Sequence, residues 1–264
     1  MYYICIIIII SIFFLFLIPY NQIEQFNNQI PKIIWAYWDK PDLPEFIQIC
    51  QKNWKKFARH YKIHLLNKQN IENWIDMPDN WQTLPPYRQS DIIRLKLLEK
   101  YGGIWMDASI LLLTNPDNFI GGDLTLFTTP STRLDNPVYE NWFIASSKNN
   151  PIIKKWLKEV LLALKDKQQY IKNSSNENIK LVNNVNYLIC HLCLRNIYEK
   201  NPRLFTNGKY YESNSTAFFE HYKHNWKNIG EKIFQNFTIN PNRLMIKLRR
   251  RDRKNIQNIP LELY

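Results

Sequence analysis

Two hydrophobic periods meet in the middle of this chain, between Tyr87 and Leu113 (YRQSDIIRLKLLEKYGGIWMDASILLL). Ile92, Leu95 and Leu98, with Ile93 and Leu97 beside them, make an apolar face at helical spacing. Ser90 stands where an N-cap is expected, and Asp91 suits the positive end of the helix dipole. Gly102 and Gly103 close the helix, because glycine tolerates the left-handed backbone of a C-terminal cap. The pattern then becomes continuous: Ile104, Trp105 and Met106 read as a short buried strand running into Asp107, Ala108 and Ser109.

The same grammar precedes and follows this stretch. Lys32–Trp38 (KIIWAYW) has the length and composition of a strand. Leu43–Phe57 follows as an amphipathic helix, with Phe46, Cys50, Trp54 and Phe57 on one side. Tyr61–Leu66 reads as a second strand and Ile71–Ile75 as a short helix, with Pro78, Pro85 and Pro86 marking a loop. Beyond Leu111–Leu113, strands are expected at Leu124–Thr128 and Trp142–Ala145, and helices at Pro151–Leu164 and Asn183–Ile197. Strands alternating with helices predict an α/β fold, a mainly parallel sheet flanked by helices. Internal repeats are absent from the sequence, and one domain over residues 31–264 accommodates the whole pattern.

Residues 1–19 stand apart. Met1–Ile18 is almost wholly apolar, closed by Pro19, and about as long as a minimal spanning helix. It lacks the basic start and small-residue cleavage site of a removable signal peptide, so an uncleaved transmembrane signal-anchor is expected, with a polar stem over residues 20–30. No Lys or Arg precedes it, which leaves orientation weakly specified.

Composition narrows the partners. The chain has 264 residues, a formal net charge of +12 and a pI near 9.4. The positive residues are spread out, apart from the run Lys247–Lys254, and no nucleic-acid-binding motif accompanies them. The charge therefore favours anionic partners such as nucleotide phosphates, anionic glycans or a membrane surface rather than nucleic acid. The stretch Arg243–Lys254 (RLMIKLRRRDRK) reads as a solvated tail, with a clamp on a pyrophosphate or contact with anionic lipid as the alternatives. Four cysteines build neither a disulfide framework nor a zinc site; Cys190 and Cys193 read as buried thiols, with a redox-sensitive pair as the alternative.

A carboxylate and a hydroxyl at a strand's carboxyl end stand where an α/β sheet opens its ligand crevice. Asp107 and Ser109, two residues apart in an extended chain, point to one side and are able to share a hard divalent cation. In isolation, the plain reading of Asp-x-Ser is a strand-end cap of the next turn.

The surrounding string is more specific. It resembles the sugar-binding region of glycosyltransferase family 32 and of the capsular polysaccharide synthesis proteins. There, Ser-Asp-x-x-Arg on a helix precedes Tyr-Gly-Gly, an aromatic residue and Asp-x-Asp/Ser/Thr. The matching residues here are Ser90, Asp91 and Arg94, then Tyr101, Gly102, Gly103, Trp105, Asp107 and Ser109. Pro31, Lys32, Ile33, Ile34 and Trp38 resemble the family's opening motif, with Trp35 where its His is expected.

The resemblance implies a GT-A-type nucleotide-diphospho-sugar transferase fold and a retaining, metal-assisted transfer of a hexose-type sugar to a glycan, glycolipid or glycoprotein hydroxyl. It implies Trp38 and its neighbours, Ala36 among them, against the nucleotide base; Asp91 and Arg94 on the donor sugar; and Asn141 in a polar place on the wall. Asp107 is the expected essential carboxylate, with Ser109 as its partner for Mn²⁺ or Mg²⁺. The large glucosylating bacterial toxins, distant relatives, place a metal ligand five residues before a Trp that reaches the glycosidic oxygen; His221 and Trp226 have that separation, with His224 between them. Surface histidines are the plain alternative for these two. Relatives imply an enzyme held in a membrane by its N-terminal anchor, type II, with a lumenal catalytic domain.

Two rivals follow from the same residues. Ser109 in place of a second acid favours a catalytically inactive, membrane-tethered glycan-binding protein. A two-metal phosphodiesterase or nuclease needs a denser Asp/His set than this sequence has.

Overall fold

The computed structural model describes residues 29–129, 138–173, 185–223, 225, 230, 232–234, 243–256 and 258–264. The expected anchor over Met1–Ile18 and most of the stem lie outside the described residues, as do His224 and Trp226. No helix among the described residues is long and apolar enough to cross a membrane.

In chain order the elements are β1 (Ile33–Tyr37), α1 (Glu45–Phe57), β2 (Lys62–Leu66), α2 (Pro86–Tyr101), β3 (Gly103–Met106), β4 (Ile110–Leu112), β5 (Leu124–Thr129) and β6 (Val138–Ser146). There follow α3 (Pro151–Lys165), α4 (Lys167–Asn173), α5 (Val185–Lys200), β7 (Gly208–Glu212), α6 (Ser213–Thr216), α7 (Phe219–Lys223) and β8 (Met245–Lys247). Six strands form one sheet in the order β2-β1-β3-β6-β5-β7, while β4 and β8 form a separate antiparallel pair. Within the large sheet β1 lies parallel to β2 and β3, and β5 parallel to β7; β6 runs against both neighbours. The sheet is thus mixed but mainly parallel, as the alternating pattern predicts.

Period-two side-chain alternation splits the core between the two faces. Ile34, Ala36, Ile104, Met106, Phe143 and Ala145 pack on the face covered by α1. Trp35, Tyr37, Trp105 and Ile144 point to the other, where α2, α3 and α5 lie. Cys50, Cys190 and Cys193 are buried free thiols, and burial pushes all three up from the usual thiol range.

The start of α2 corrects one expectation. The helix begins at Pro86, behind Pro85, rather than at Ser90. A proline at the first helical position has no N–H to leave unbonded, so it opens the helix without a side-chain cap. The glycine pair behaves as expected, for a steric reason. Gly102 and Gly103 have φ of +67° and +96°, and a Cβ on Gly103 would sit 2.6 Å from the Ile33 carbonyl oxygen of β1. Only glycine allows α2 to turn so abruptly into a strand lying against β1.

The basic stretch near the end is not a solvated tail. Met245, Ile246 and Leu248 are buried, and β8 pairs with β4 so that Ile110 faces Lys247 and Leu112 faces Met245. Asn53 of α1 locks this small sheet down: its amide accepts from the Leu112 N–H at 2.7 Å and donates to the carbonyls of Leu112 and Leu263.

Candidate active site

Asp107 leaves the large sheet at the carboxyl end of β3. Its N–H bonds the Trp142 carbonyl of β6 at 2.8 Å, which fixes the backbone from which the carboxylate projects. Oδ1 accepts from the Trp105 indole N–H at 3.1 Å and lies 3.7 Å from Arg94 Nη2. Oδ2 accepts from Lys247 Nζ at 2.7 Å.

Arg94 reaches this point from α2 and is held on every side. Nη1 donates to the Asn141 carbonyl at 2.6 Å and Nε to the Ser90 carbonyl at 3.0 Å. Nη2 lies 3.6 Å from Asp91 Oδ1, and the guanidinium stands 5.1 Å from the centre of the Trp105 ring. Asp91 in turn accepts from Arg88 Nη1 and from Asn141 Nδ2, both at 3.1 Å. The structure therefore brings Asp91, Arg94, Asp107 and Asn141 into one connected cluster.

Their depths differ, and so do the parts open to them. The Asp91 and Arg94 side chains are each 5 % exposed, against 28 % for Asp107. Asp91 and Arg94 form a floor, and Asp107 is the group that solvent reaches. The oxygens of Asp91, the residue expected on the donor sugar, face Arg88, Arg94 and Asn141, so it also orients Arg94. Burial pushes the Asp91 carboxyl up, against the pull of Arg94 and Arg88. Burial acts the same way on Asp107, but Lys247 and Arg94 together outweigh it and hold that carboxyl below its usual range.

The segment after β8 crosses the cluster as a strap. Ser109 donates through Oγ to the Leu248 carbonyl at 3.0 Å, and its own carbonyl accepts from the Leu248 N–H. Lys247 Nζ lies 3.2 Å from Ser109 Oγ. Further on, Asp252 turns inward and accepts from Arg249 Nε at 2.7 Å. Arg253 lays its guanidinium 5.3 Å from the centre of the Trp38 ring. The strap thus joins Trp38, the expected wall of a nucleotide base, to Asp107.

Two expected site residues fall elsewhere, and a third is not described. His221 is fully buried, with Nε2 2.9 Å from Asp252 Oδ2; it anchors the strap from beneath rather than offering that nitrogen to a metal. Ala36 is fully buried in the core inside β1, so its side chain presents no surface to a nucleotide. Trp226 lies outside the described residues.

A divalent cation does not fit the donor set found here. Asp107 supplies one carboxylate, Ser109 gives its proton to a backbone carbonyl, and an ammonium already stands between the two. Among the described residues, no three His, Cys, Asp or Glu side chains converge on a point where a metal ion would be held. A cleft of about 640 Å³ lined by Glu99, Leu157, Leu161 and the lysines of α3 shares no residue with this cluster.

A family model of the capsular polysaccharide synthesis protein matches residues 13–238. The chain belongs to that family. Within the wider comparison, this family member is 28 % identical over 151 residues to the O-glycosyltransferase braB of Annulohypoxylon truncatum, covering 48 % of this chain and 36 % of that one. It is 31 % identical over 162 residues to the probable glycosyltransferase FCK3 of Fusarium pseudograminearum, covering 52 % and 40 %. The chain thus spans about two fifths of the length of these curated relatives. Among solved structures, the PaToxG glycosyltransferase aligns over 66 % of this chain and 70 % of its own, at 21 % identity and a TM-score of 0.41. The glycosyltransferase GlyE of Streptococcus pneumoniae aligns over 82 % and 54 %, at 13 % identity and a TM-score of 0.42.

Sequence reasoning missed Lys247, Arg253 and Arg88 as members of the site. Arg88 was within reach, since it precedes Asp91 by one helical turn on the same face. Lys247 and Arg253 were hidden in a basic run whose charges look alike.

Proposed function

We propose that this chain is a glycosyltransferase that moves a hexose-type sugar from a nucleotide-diphosphate sugar to a hydroxyl of a glycan, glycolipid or glycoprotein. The reading includes a GT-A-type fold, membrane attachment through the apolar run Met1–Ile18 and transfer with retention of configuration. The observation that carries it is the position of Arg94 Nη2, 3.6 Å from Asp91 and 3.7 Å from Asp107. One guanidinium joins two carboxylates at the carboxyl edge of a mainly parallel sheet, where α/β folds take their ligands. The nearby cations Lys247 and Arg253 suit a diphosphate.

In this reading the base stacks on Trp38, and the diphosphate lies under the strap toward Lys247. Asp107, fixed by Trp105 and Arg94, faces the sugar. Both Asp107 oxygens are engaged with cations or an indole N–H, which leaves the carboxylate poorly disposed to form a covalent glycosyl intermediate. That favours attack by the acceptor on the same face as the departing diphosphate. Positioning and charge stabilisation supply the catalysis.

The test is a panel of UDP- and GDP-sugars, free glycans and phosphodiesters offered to the purified full chain. Release of nucleoside diphosphate from a sugar donor supports the transferase. Glycan binding without turnover of any donor points to a glycan-binding protein, and diester cleavage to a hydrolase; either result displaces the reading.

A further inference from the structure

We propose that Lys247 takes the place of a divalent cation, so that its ammonium, and not a metal ion, neutralises the diphosphate as it leaves. The inference rests on the transferase reading above and concerns the same site.

Lys247 is held where a cation would be useful. Its backbone N–H bonds the Ala217 carbonyl at 3.1 Å, and β8 pairs it opposite Ile110 of β4. From there Nζ reaches Asp107 Oδ2 at 2.7 Å and Ser109 Oγ at 3.2 Å. These are the two side chains that a metal would have to share. An ammonium carries three N–H donors. Asp107 and Ser109 take two of them, and the third is the one offered to a phosphate oxygen in the proposed complex.

The donor set argues the same way. Asp107 and Lys247 form a neutral pair, so a divalent ion approaching Asp107 meets a positive charge already there. That ammonium cancels the charge by which Asp107 would attract the ion. Ser109, a neutral hydroxyl bonded to the Leu248 carbonyl, does nothing to offset that loss. A second acid at this position would have favoured the metal; a serine favours the lysine. Arg253, on the same strap, supplies further positive charge beside Trp38.

The chemistry balances without a metal. The bond from the anomeric carbon to the β-phosphate oxygen breaks, and both electrons stay on that oxygen. The acceptor hydroxyl oxygen bonds to the anomeric carbon, and its proton passes to the released diphosphate. Lys247, held 2.7 Å from Asp107, donates to the leaving oxygen and stabilises the charge that builds there.

The deciding experiment measures nucleoside diphosphate release by the full chain, with EDTA or with added Mn²⁺. It is paired with calorimetric binding of UDP and GDP, and of uridine and guanosine. Wild type is expected to turn over its donor equally well in both conditions. Lys247→Met should lower turnover by about a hundredfold, the effect typical of removing one charge-stabilising donor. It should also weaken diphosphate binding by about tenfold or more while sparing the bare nucleosides. Lys247→Arg should restore part of both losses. If EDTA abolishes wild-type turnover and Mn²⁺ restores it, the lysine assignment falls while the transferase reading stands. If no donor is turned over in either condition, both fall. Should Lys247→Met fail to fold, the wild-type EDTA arm decides alone.

Discussion

His221 Nε2 and Asp252 Oδ2 stand 2.9 Å apart with both residues wholly buried, and through this contact the basic strap is tied to the body of the protein. Asp252 also accepts from the Arg249 N–H, Nε and Nη2, at 3.1, 2.7 and 3.0 Å. A carboxylate with this many donors stays ionised, and His221 and Arg249 hold Asp252 well below its usual range despite burial.

The sign of the resulting pH dependence follows from linkage. A depressed folded-state pKa contributes stability above the unfolded value, near 3.9, which is lost as pH falls through the folded value. Asp252→Asn should therefore cost about 3 kcal/mol near neutrality, as expected when one partner of a buried pair is removed. The gap between variant and wild type should narrow below about pH 4. Urea unfolding from pH 7 to pH 3 reads this directly; a gap that stays constant across that range contradicts the assignment.

Arg94 and Asp91 should prove energetically coupled. Either Arg94→Gln or Asp91→Asn leaves a buried charge short of a partner, at about 3 kcal/mol each. Changing both removes the mismatch between these two, though Arg88 and Asp107 each still lose a neighbour, so a double-mutant cycle should give a coupling of at least about 1 kcal/mol. Strict additivity in denaturant unfolding would mean that the 3.6 Å approach contributes nothing.

Gly103→Ala tests the turn that delivers Asp107. A Cβ would collide with the Ile33 carbonyl oxygen at 2.6 Å, at a φ of +96° that alanine avoids. A loss of about 2 kcal/mol or more is expected in thermal or urea unfolding. An unchanged midpoint would show that β1 and β3 have room to separate.

Much of this arrangement was legible in the sequence, for identifiable reasons. The glycine pair, the apolar strand and Asp107 are local features, and helical spacing puts Asp91 and Arg94 on one face. The direction of β6 was not legible, since alternating hydrophobicity is the same read either way along a strand. Neither was the strap, because Met245, Ile246 and Leu248 are interrupted and outnumbered by basic residues. His221 looked like a metal ligand because its partner Asp252 lies 31 residues further on, and only folding brings the two together.

In the proposed reading the nucleotide base stacks on Trp38. Stacking of a base on an aromatic ring is worth about 1–3 kcal/mol. Trp38→Ala should therefore weaken UDP or GDP binding by about tenfold or more. Calorimetric titration measures it, and unchanged affinity would remove Trp38 from the nucleotide site.

If sugar transfer takes place at Asp107, nucleoside diphosphate release by wild type and Asp107→Asn, on the donor that wild type uses, will show it. A fall of about a hundredfold or more, with nucleotide binding retained, is the predicted result. Equal turnover by the two proteins would contradict it.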